Sequence, residues 1–228
     1  MGGGVRRIDA RLHRANDRCH RGKALALFDI SLLELIAFTV SVLGVWLTTA
    51  RSLWNYPFSL LSVALYGIFF FRIKLYADMG LQGIFALTLV YGWWQWIRGR
   101  GGDGGLVVRR VGRAETLAGV VAGAALAGML GLWLHDRTDA SLPWADSALF
   151  AASLIGSLWS ARRYVESWWI WIAVDLCYVG LYLVKRAYPT ALLYAVFVAL
   201  AALGLRRWRV ALDTHAADAL RGNEALRS

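Results

Sequence analysis

The sequence predicts an all-α membrane protein, with seven transmembrane helices arranged as two parallel three-helix repeats joined by a linker helix (3+1+3). Three observations carry this. Of 228 residues, 58% are hydrophobic and the mean hydropathy is +0.49, whereas soluble domains are about 45–50% apolar. Seven apolar stretches are of the order of the ~20 residues that carry a helix across a ~30 Å hydrocarbon layer. The first three stretches also align on the last three at one ungapped offset.

In chain order, residues 1–26 are polar and basic without an apolar period and are expected to be a disordered tail. The stretch 27–49 follows basic residues, as a secretory leader would, but it outruns the usual 7–15 residue apolar core of one and has a counterpart later in the chain. It is therefore expected to be retained. The second stretch, 54–71, places Asn55, Ser59, Ser62 and Tyr66 at spacings 4, 3, 4, on one helix face. Small polar residues there either line a cavity or cement helix packing. Pro57 sits near the helix start, where its missing N–H costs little. The third stretch, 77–97, carries Gln82 with Phe85, Leu89 and Trp96 following on the same face. A buried amide must find partners, and Gln82 can meet a ligand amide or hydroxyl, whereas Gln95 lies nearer the boundary.

Residues 98–115, "RGRGGDGGLVVRRVGRAE", read as the one long linker. The fourth stretch, 115–134, has Gly119, Gly123, Ala127 and Gly131 as a small-residue ridge suited to close helix contact. Stretches at 144–161, 167–184 and 188–205 complete the set. The units are then 27–98 and 139–210 for the repeats, 99–138 for the loop and linker helix, and 211–228 for a C-terminal tail. Arginine balance leaves the topology open; "RRWR" at 206–209, abutting the last stretch, favours a cytoplasmic C-terminus.

The repeat appears when 34–98 is set on 146–210, an offset of 112. Identical pairs include Phe38/Phe150, Gly44/Gly156, Arg51/Arg163, Tyr66/Tyr178, Phe85/Phe197, Gly92/Gly204 and Trp96/Trp208, with Glu34/Asp146 and Lys74/Arg186 conservative. Three helices per half is odd, so one linker helix restores the starting side and both halves share an orientation. Parallel repeats of this class hold substrate near the midplane between them.

The stretch "SWWIWIAVDLCYVGLYLV" (167–184) places one carboxylate, Asp175, among apolar and aromatic residues. A charge at mid-membrane costs about 2.5–3.5 kcal/mol on insertion scales, so Asp175 is expected to face the bundle interior. Trp168, Trp171, Asp175, Tyr178 and Tyr182, spaced 3, 4, 3, 4, share one face. Indole faces stack on rings and attract cations, and phenol and carboxylate groups hold hydroxyls. The stripe suits a flat-ring ligand bearing hydroxyls. An interfacial aromatic belt with a structurally paired Asp175 is the alternative.

No phosphate-binding glycine loop, metal-ligand cluster or catalytic triad is present, and the four histidines lie in tails or loops. No enzyme activity, metal or cofactor is expected. Cys19 and Cys177 have no spacing partners, and Cys177 reads as a small core residue. The net charge of +10 resides in tails and between apolar runs, as in loops flanking membrane spans, so no nucleic-acid partner is expected.

The runs "WNYPFSLLSVALYGIFFFRIKLYADMGLQGIFALTLVYGWWQW" (54–96) and "RRYVESWWIWIAVDLCYVGLYLVKRAYPTALLYAVFVALAALGLRRW" (162–208) resemble the PnuC family of bacterial nicotinamide riboside transporters, over about residues 28–210. The resemblance implies a 3+1+3 fold related to the SWEET sugar transporters, a homotrimer in the bacterial inner membrane, and import of the vitamin by facilitated diffusion with trapping by a separate intracellular kinase. The family's W-x-x-W-x-x-x-N pattern falls on Trp168, Trp171 and Asp175, with Asp in place of Asn. That change adds attraction for a cationic pyridinium and leaves room for a related vitamin such as thiamine or riboflavin. Trp46 and Gln82 fall where the family has a binding Trp and Gln. Asn55, Ser59, Tyr66, Tyr178 and Tyr182 complete the expected substrate-binding set. A transporter of another vitamin, or a membrane protein that transports nothing, are the competing readings.

Overall fold

Each apolar stretch forms a helix. The computed structural model describes residues 32–33, 35–72, 76–100, 106–138, 142–184, 186 and 188–225. Over these the chain forms α1 (Leu35–Thr49), α2 (Asn55–Arg72), α3 (Tyr76–Arg98), α4 (Arg113–Arg137), α5 (Pro143–Ala161), α6 (Ser167–Val184) and α7 (Tyr188–Ala225). The expected basic tail and Glu34 lie outside the described residues. α7 outruns its expected end at 205 and continues as helix through the region read as a tail. Residues 211–225 include five Ala and no Pro, a composition that lets a helix continue.

By length and composition, α4, α6 and Ala191–Thr214 within α7 are apolar enough to cross a bilayer. The others are diluted by inward polar residues: Asn55, Ser59 and Ser62 in α2, Gln82 in α3, and Ser147, Ser153, Ser157 and Ser160 in α5. α4 packs on α5 through the predicted ridge. A Cβ at Gly119 would meet the Trp159 ring at 2.9 Å, and one at Gly131 would meet the Trp144 ring at 2.6 Å.

Positions 112 apart make matching bonds. α1 and α5 end in the same turn: Arg51 N–H donates to Thr48 O (3.0 Å) and Ser52 N–H to Leu47 O (3.0 Å), as Arg163 N–H donates to Ser160 O (3.0 Å) and Tyr164 N–H to Trp159 O (2.9 Å). This paired bonding caps a helix through one left-handed residue, and Arg51 (φ 56°) and Arg163 (φ 66°) occupy that position without being glycine. A polar side chain three residues on repeats the next bond in each half. Asn55 Nδ2 donates to Ser52 O (2.6 Å), and its equivalent Ser167 Oγ donates to Tyr164 O (2.8 Å).

The halves lock through a reciprocal exchange. Trp96 Nε1 of α3 donates to Ser160 O of α5 (3.0 Å), and Trp208 Nε1 of α7 donates to Thr48 O of α1 (3.2 Å). These are the same bond with the halves swapped. The two indoles are fully buried and meet each other at 5.8 Å. Tyr56 packs edge-on to Trp96 (5.2 Å, 90°) as Trp168 packs edge-on to Trp208 (5.4 Å, 87°). Since Trp96 and Trp208 stand at matching points of α3 and α7, their contact brings the same ends of the two helices to one level.

The segment 106–112, expected as a free linker, is instead a packed strap. Leu106 and Val108 are buried against the Trp96–Trp208 cluster. Arg109 N–H donates to Arg163 O (2.9 Å) and Val165 N–H to Arg109 O (3.0 Å). Arg163 Nη1 donates to Gly99 O (2.6 Å) and Val107 O (3.4 Å). Two apolar residues inside a Gly/Arg-rich run bury the loop, and the backbone bonds at Val107, Arg109, Val111 and Gly112 fix it there.

Candidate functional site

Helices α1–α3 and α5–α7 surround a cavity of about 630 Å³, within the usual range for small-molecule sites. Its floor is the aromatic cluster: Tyr56, Trp96 and Trp168 line it, and Trp208 backs them. Toward the other end lie Tyr66, Phe69, Phe70, Tyr178, Tyr182 and Tyr194. The last three form a stack, Tyr178–Tyr194 at 4.6 Å and Tyr182–Tyr194 at 5.5 Å with rings 11° apart. The wall between carries Ser41, Thr48, Ser59, Gln82, Thr88, Ser153, Ser157, Ser160, Trp171 and Asp175.

α6 supplies the chemistry because its 3–4 spacing aims one stripe inward. Trp168, Trp171, Asp175, Tyr178 and Tyr182 all line the cavity. Asp175 is only 7% exposed and contributes the one carboxyl group among the described lining residues, where no Lys or Arg stands. Trp171 is held by Nε1 donating to Ser160 Oγ (3.2 Å). Trp168 is wedged over Gly204, where a Cβ would lie 2.6 Å from its ring. Its Nε1 is buried with no hydrogen-bond partner among the described residues.

Beside the floor, Tyr164 O–H in the α5–α6 turn donates to Glu115 Oε1 in the first turn of α4 (2.7 Å), and Glu115 Oε2 accepts the Gly112 N–H (3.0 Å). Burial, and then Glu115, push the Tyr164 phenol above its usual range. This pins the strap to the α5–α6 turn.

Nine of the ten expected binding residues line the cavity: Asn55, Ser59, Tyr66, Gln82, Trp168, Trp171, Asp175, Tyr178 and Tyr182. Trp46 does not. On α1 it is Ser41, Val45 and Thr48 that face inward, and Trp46, one residue and ~100° round from Val45, is 44% exposed on the outer face. Asn55 lines the wall, but its amide nitrogen is already bonded to Ser52 O. Gln95 keeps out of the cavity and donates to Tyr91 Oη (2.6 Å). Cys177 is exposed rather than in the core; two residues beyond Asp175 on a helix, it faces nearly the opposite way.

Sequence reasoning missed Tyr56, Tyr194, Phe197 and the α5 serines. The repeat held the signal for most of them. Adding 112 carries Tyr56 to Trp168, Gln82 to Tyr194, Phe85 to Phe197, Ser41 to Ser153 and Thr48 to Ser160.

Residues 31–210 match the family described as nicotinamide mononucleotide transporter. The chain is 24% identical over 206 residues to the nicotinamide riboside transporter PnuC of Escherichia coli (strain K12), covering 79% of this chain and 86% of that protein. It is 30% identical over 194 residues to the riboflavin/roseoflavin transporter RibM of Streptomyces davaonensis, covering 82% and 89%. The crystal structure of the vitamin B3 transporter PnuC superimposes with a TM-score of 0.68 at 22% identity, over 85% of this chain and 87% of that one.

Proposed function

The chain belongs to the nicotinamide mononucleotide transporter family, a multi-pass membrane transporter of the bacterial inner membrane and not an enzyme, and from that premise we propose that it imports nicotinamide riboside by facilitated diffusion. The observation that carries the choice of substrate is Asp175, the lone carboxyl among the described lining residues, whose other polar groups are indoles, phenols, hydroxyls and the carboxamides of Asn55 and Gln82. A cationic pyridinium ring stacks between aromatic faces and is drawn to a carboxylate. Ribose hydroxyls are met by Gln82, Ser59 and the phenols of Tyr178 and Tyr182. Trp171 and Trp168 provide the flat surfaces. Asn55 and Tyr66 border the path.

The cavity offers no pair of charged groups among its described lining residues that would couple uptake to an ion. Net accumulation then rests on a separate kinase that phosphorylates the substrate inside and feeds NAD synthesis. We read the two halves as like-oriented three-helix units around the cavity, with α4 as linker. The exposed apolar side chains of α4, among them Leu117, Val120, Val121 and Trp133, suit a homotrimer contact within the bilayer.

A second reading has its own support: the 30% identity to RibM favours riboflavin, whose flat rings and hydroxylated chain suit the same walls but carry no positive charge. Uptake into proteoliposomes separates the two. Labelled nicotinamide riboside should enter well ahead of riboflavin and thiamine, and should equilibrate without concentrating when no gradient is imposed. Preferential riboflavin entry would replace the leading reading. No entry of any of the three would overturn a vitamin-transport role.

A further inference from the structure

A second hollow, of about 510 Å³, opens on the outer side of the fold between the end of α1 and the middle of α7. Thr49, Ala50, Arg51, Leu203, Arg206, Arg207 and Val210 line it. Three guanidinium groups therefore converge on a space bordered, among the described residues, by no carboxylate. Arg207 is held in place by Nη1 donating to Thr49 Oγ1 (3.0 Å). Arg51 is anchored weakly, with one long contact to Leu106 O (3.4 Å). Arg206 stands exposed at the mouth. The neighbouring Arg209 is engaged elsewhere, over the Trp169 ring at 5.3 Å.

The corresponding corner of the second half shows what this place normally holds. Arg163, equivalent to Arg51, is occupied by strap carbonyls at Gly99 and Val107. The nearby cations Arg162 and Arg109 act on the Glu115 carboxylate. A peptide strap and an acid fill that corner. Among the described residues the first half's corner offers only the Leu106 carbonyl to Arg51 and no acid lines it, so its three guanidinium groups lie there without a bordering carboxylate.

We infer that the Arg51–Arg206–Arg207 cleft binds a phosphate-bearing anion, and specifically the phosphodiester headgroup of an anionic membrane lipid. Guanidinium forks match phosphate geometry. The cleft sits where the apolar run of α7 ends at Leu205 and the arginines begin, the level at which headgroups lie. Leu203 and Val210 give its flanks an apolar surface for the glycerol and upper acyl carbons, and basic pockets between membrane helices hold acidic headgroups in this way.

The test is native mass spectrometry of the full chain in detergent, titrated with phosphatidylglycerol, with phosphatidylcholine, and with phosphatidylglycerol in the presence of millimolar inorganic phosphate. Phosphatidylglycerol should bind in preference to phosphatidylcholine. Each arginine near such a surface contributes roughly fivefold, so R206Q/R207Q should weaken the lipid by on the order of 25-fold, while R98Q leaves it unchanged. R206Q alone, which breaks no hydrogen bond, keeps the test sound if the double variant elutes as aggregate. Full displacement by inorganic phosphate without any preference between lipids would keep the phosphate site but assign it to a free anion. Equal binding of the two lipids with no effect of phosphate, or unchanged phosphatidylglycerol binding in R206Q and R206Q/R207Q, would overturn the inference. None of these readouts depends on which vitamin is carried.

Discussion

At the cavity floor, Trp96 of the first half and Trp208 of the second are interchangeable. Each is buried, each donates its indole N–H to the carbonyl at the matching place in the other half (Ser160 O and Thr48 O), and each takes an edge-on ring from Tyr56 or Trp168. Farther along the wall the equivalence ends. Gln82 stands where the second half has Tyr194, Ser59 where it has Trp171, and Val63, which does not line the cavity, where it has Asp175. The contacts that hold the halves together are shared, and the groups that read a ligand are not. A duplicated scaffold can keep its symmetry at the joint while each wall specialises, because only the joint demands that both sides fit one another.

The largest expected effect breaks the joint. Trp96→Ala and Trp208→Ala each empty a fully packed indole site and strip a hydrogen bond, which costs about 3–5 kcal/mol. Thermal unfolding of the detergent-purified protein should show losses of similar size for the two. A marked inequality would mean that one half carries the joint and the exchange is not reciprocal in energy. The next effect breaks the asymmetry. Asp175→Leu should leave the fold and elution profile intact and lower nicotinamide riboside uptake roughly 100-fold, the scale of a lost hydrogen bond to a charged group. Asp175→Asn should keep part of the uptake, and the added Val63→Asp should not restore the Leu variant. Normal transport by Asp175→Leu would remove Asp175 from the site.

The glycines that face the paired rings sharpen the comparison. A Cβ at Gly204 would sit 2.6 Å from three atoms of the Trp168 ring, a rigid obstacle, whereas one at Gly92 would meet Tyr56 Oη at 2.9 Å and the Ala161 Cβ at 3.2 Å. Gly204→Ala must push the indole into the cavity. It should cost about 2 kcal/mol and reduce uptake, while Gly92→Ala should cost less because the Tyr56 ring tip can give. Equal effects would indicate that Trp168 is free to move.

Much of this was legible in the sequence, for identifiable reasons. Helix existence followed from apolar runs, and the α6 stripe followed from 3–4 spacing, which brings Trp168, Trp171, Asp175, Tyr178 and Tyr182 to one wall. Register on α1 was harder to read. Ser41, Val45 and Thr48 lie on an apolar helix whose inward face carries no distinctive residue, and Trp46 was expected at the site from the family resemblance, not from any periodicity of α1. The strap was missed because Leu106 and Val108 sit in a glycine-rich run that looks solvated, and what buries them is the Trp96–Trp208 cluster, built from residues about 10 and 100 positions away. The end of α7 was misplaced because a switch from apolar to charged residues ends a membrane run without ending a helix.

The smallest prediction concerns Arg51 and Arg163, the left-handed arginines that end α1 and α5. Both pay the same backbone strain to cap a helix, but they spend their guanidinium groups differently. Arg163 Nη1 holds the strap through Gly99 O at 2.6 Å and Val107 O at 3.4 Å, while Arg51 reaches Leu106 O only at 3.4 Å. Glutamine retains the strain in either place and removes the charge. Arg163→Gln should therefore lose about 1.5 kcal/mol, the lower end for charge-assisted hydrogen bonds, and loosen the strap. Arg51→Gln in lipid-free detergent should stay within about 0.5 kcal/mol of the parent, as surface changes do. Hydrogen exchange of the Val107, Arg109 and Val111 amides separates the two: faster exchange in Arg163→Gln alone ties the strap to the second half, and equal exchange in both variants would place its anchor elsewhere, at Tyr164 and Glu115.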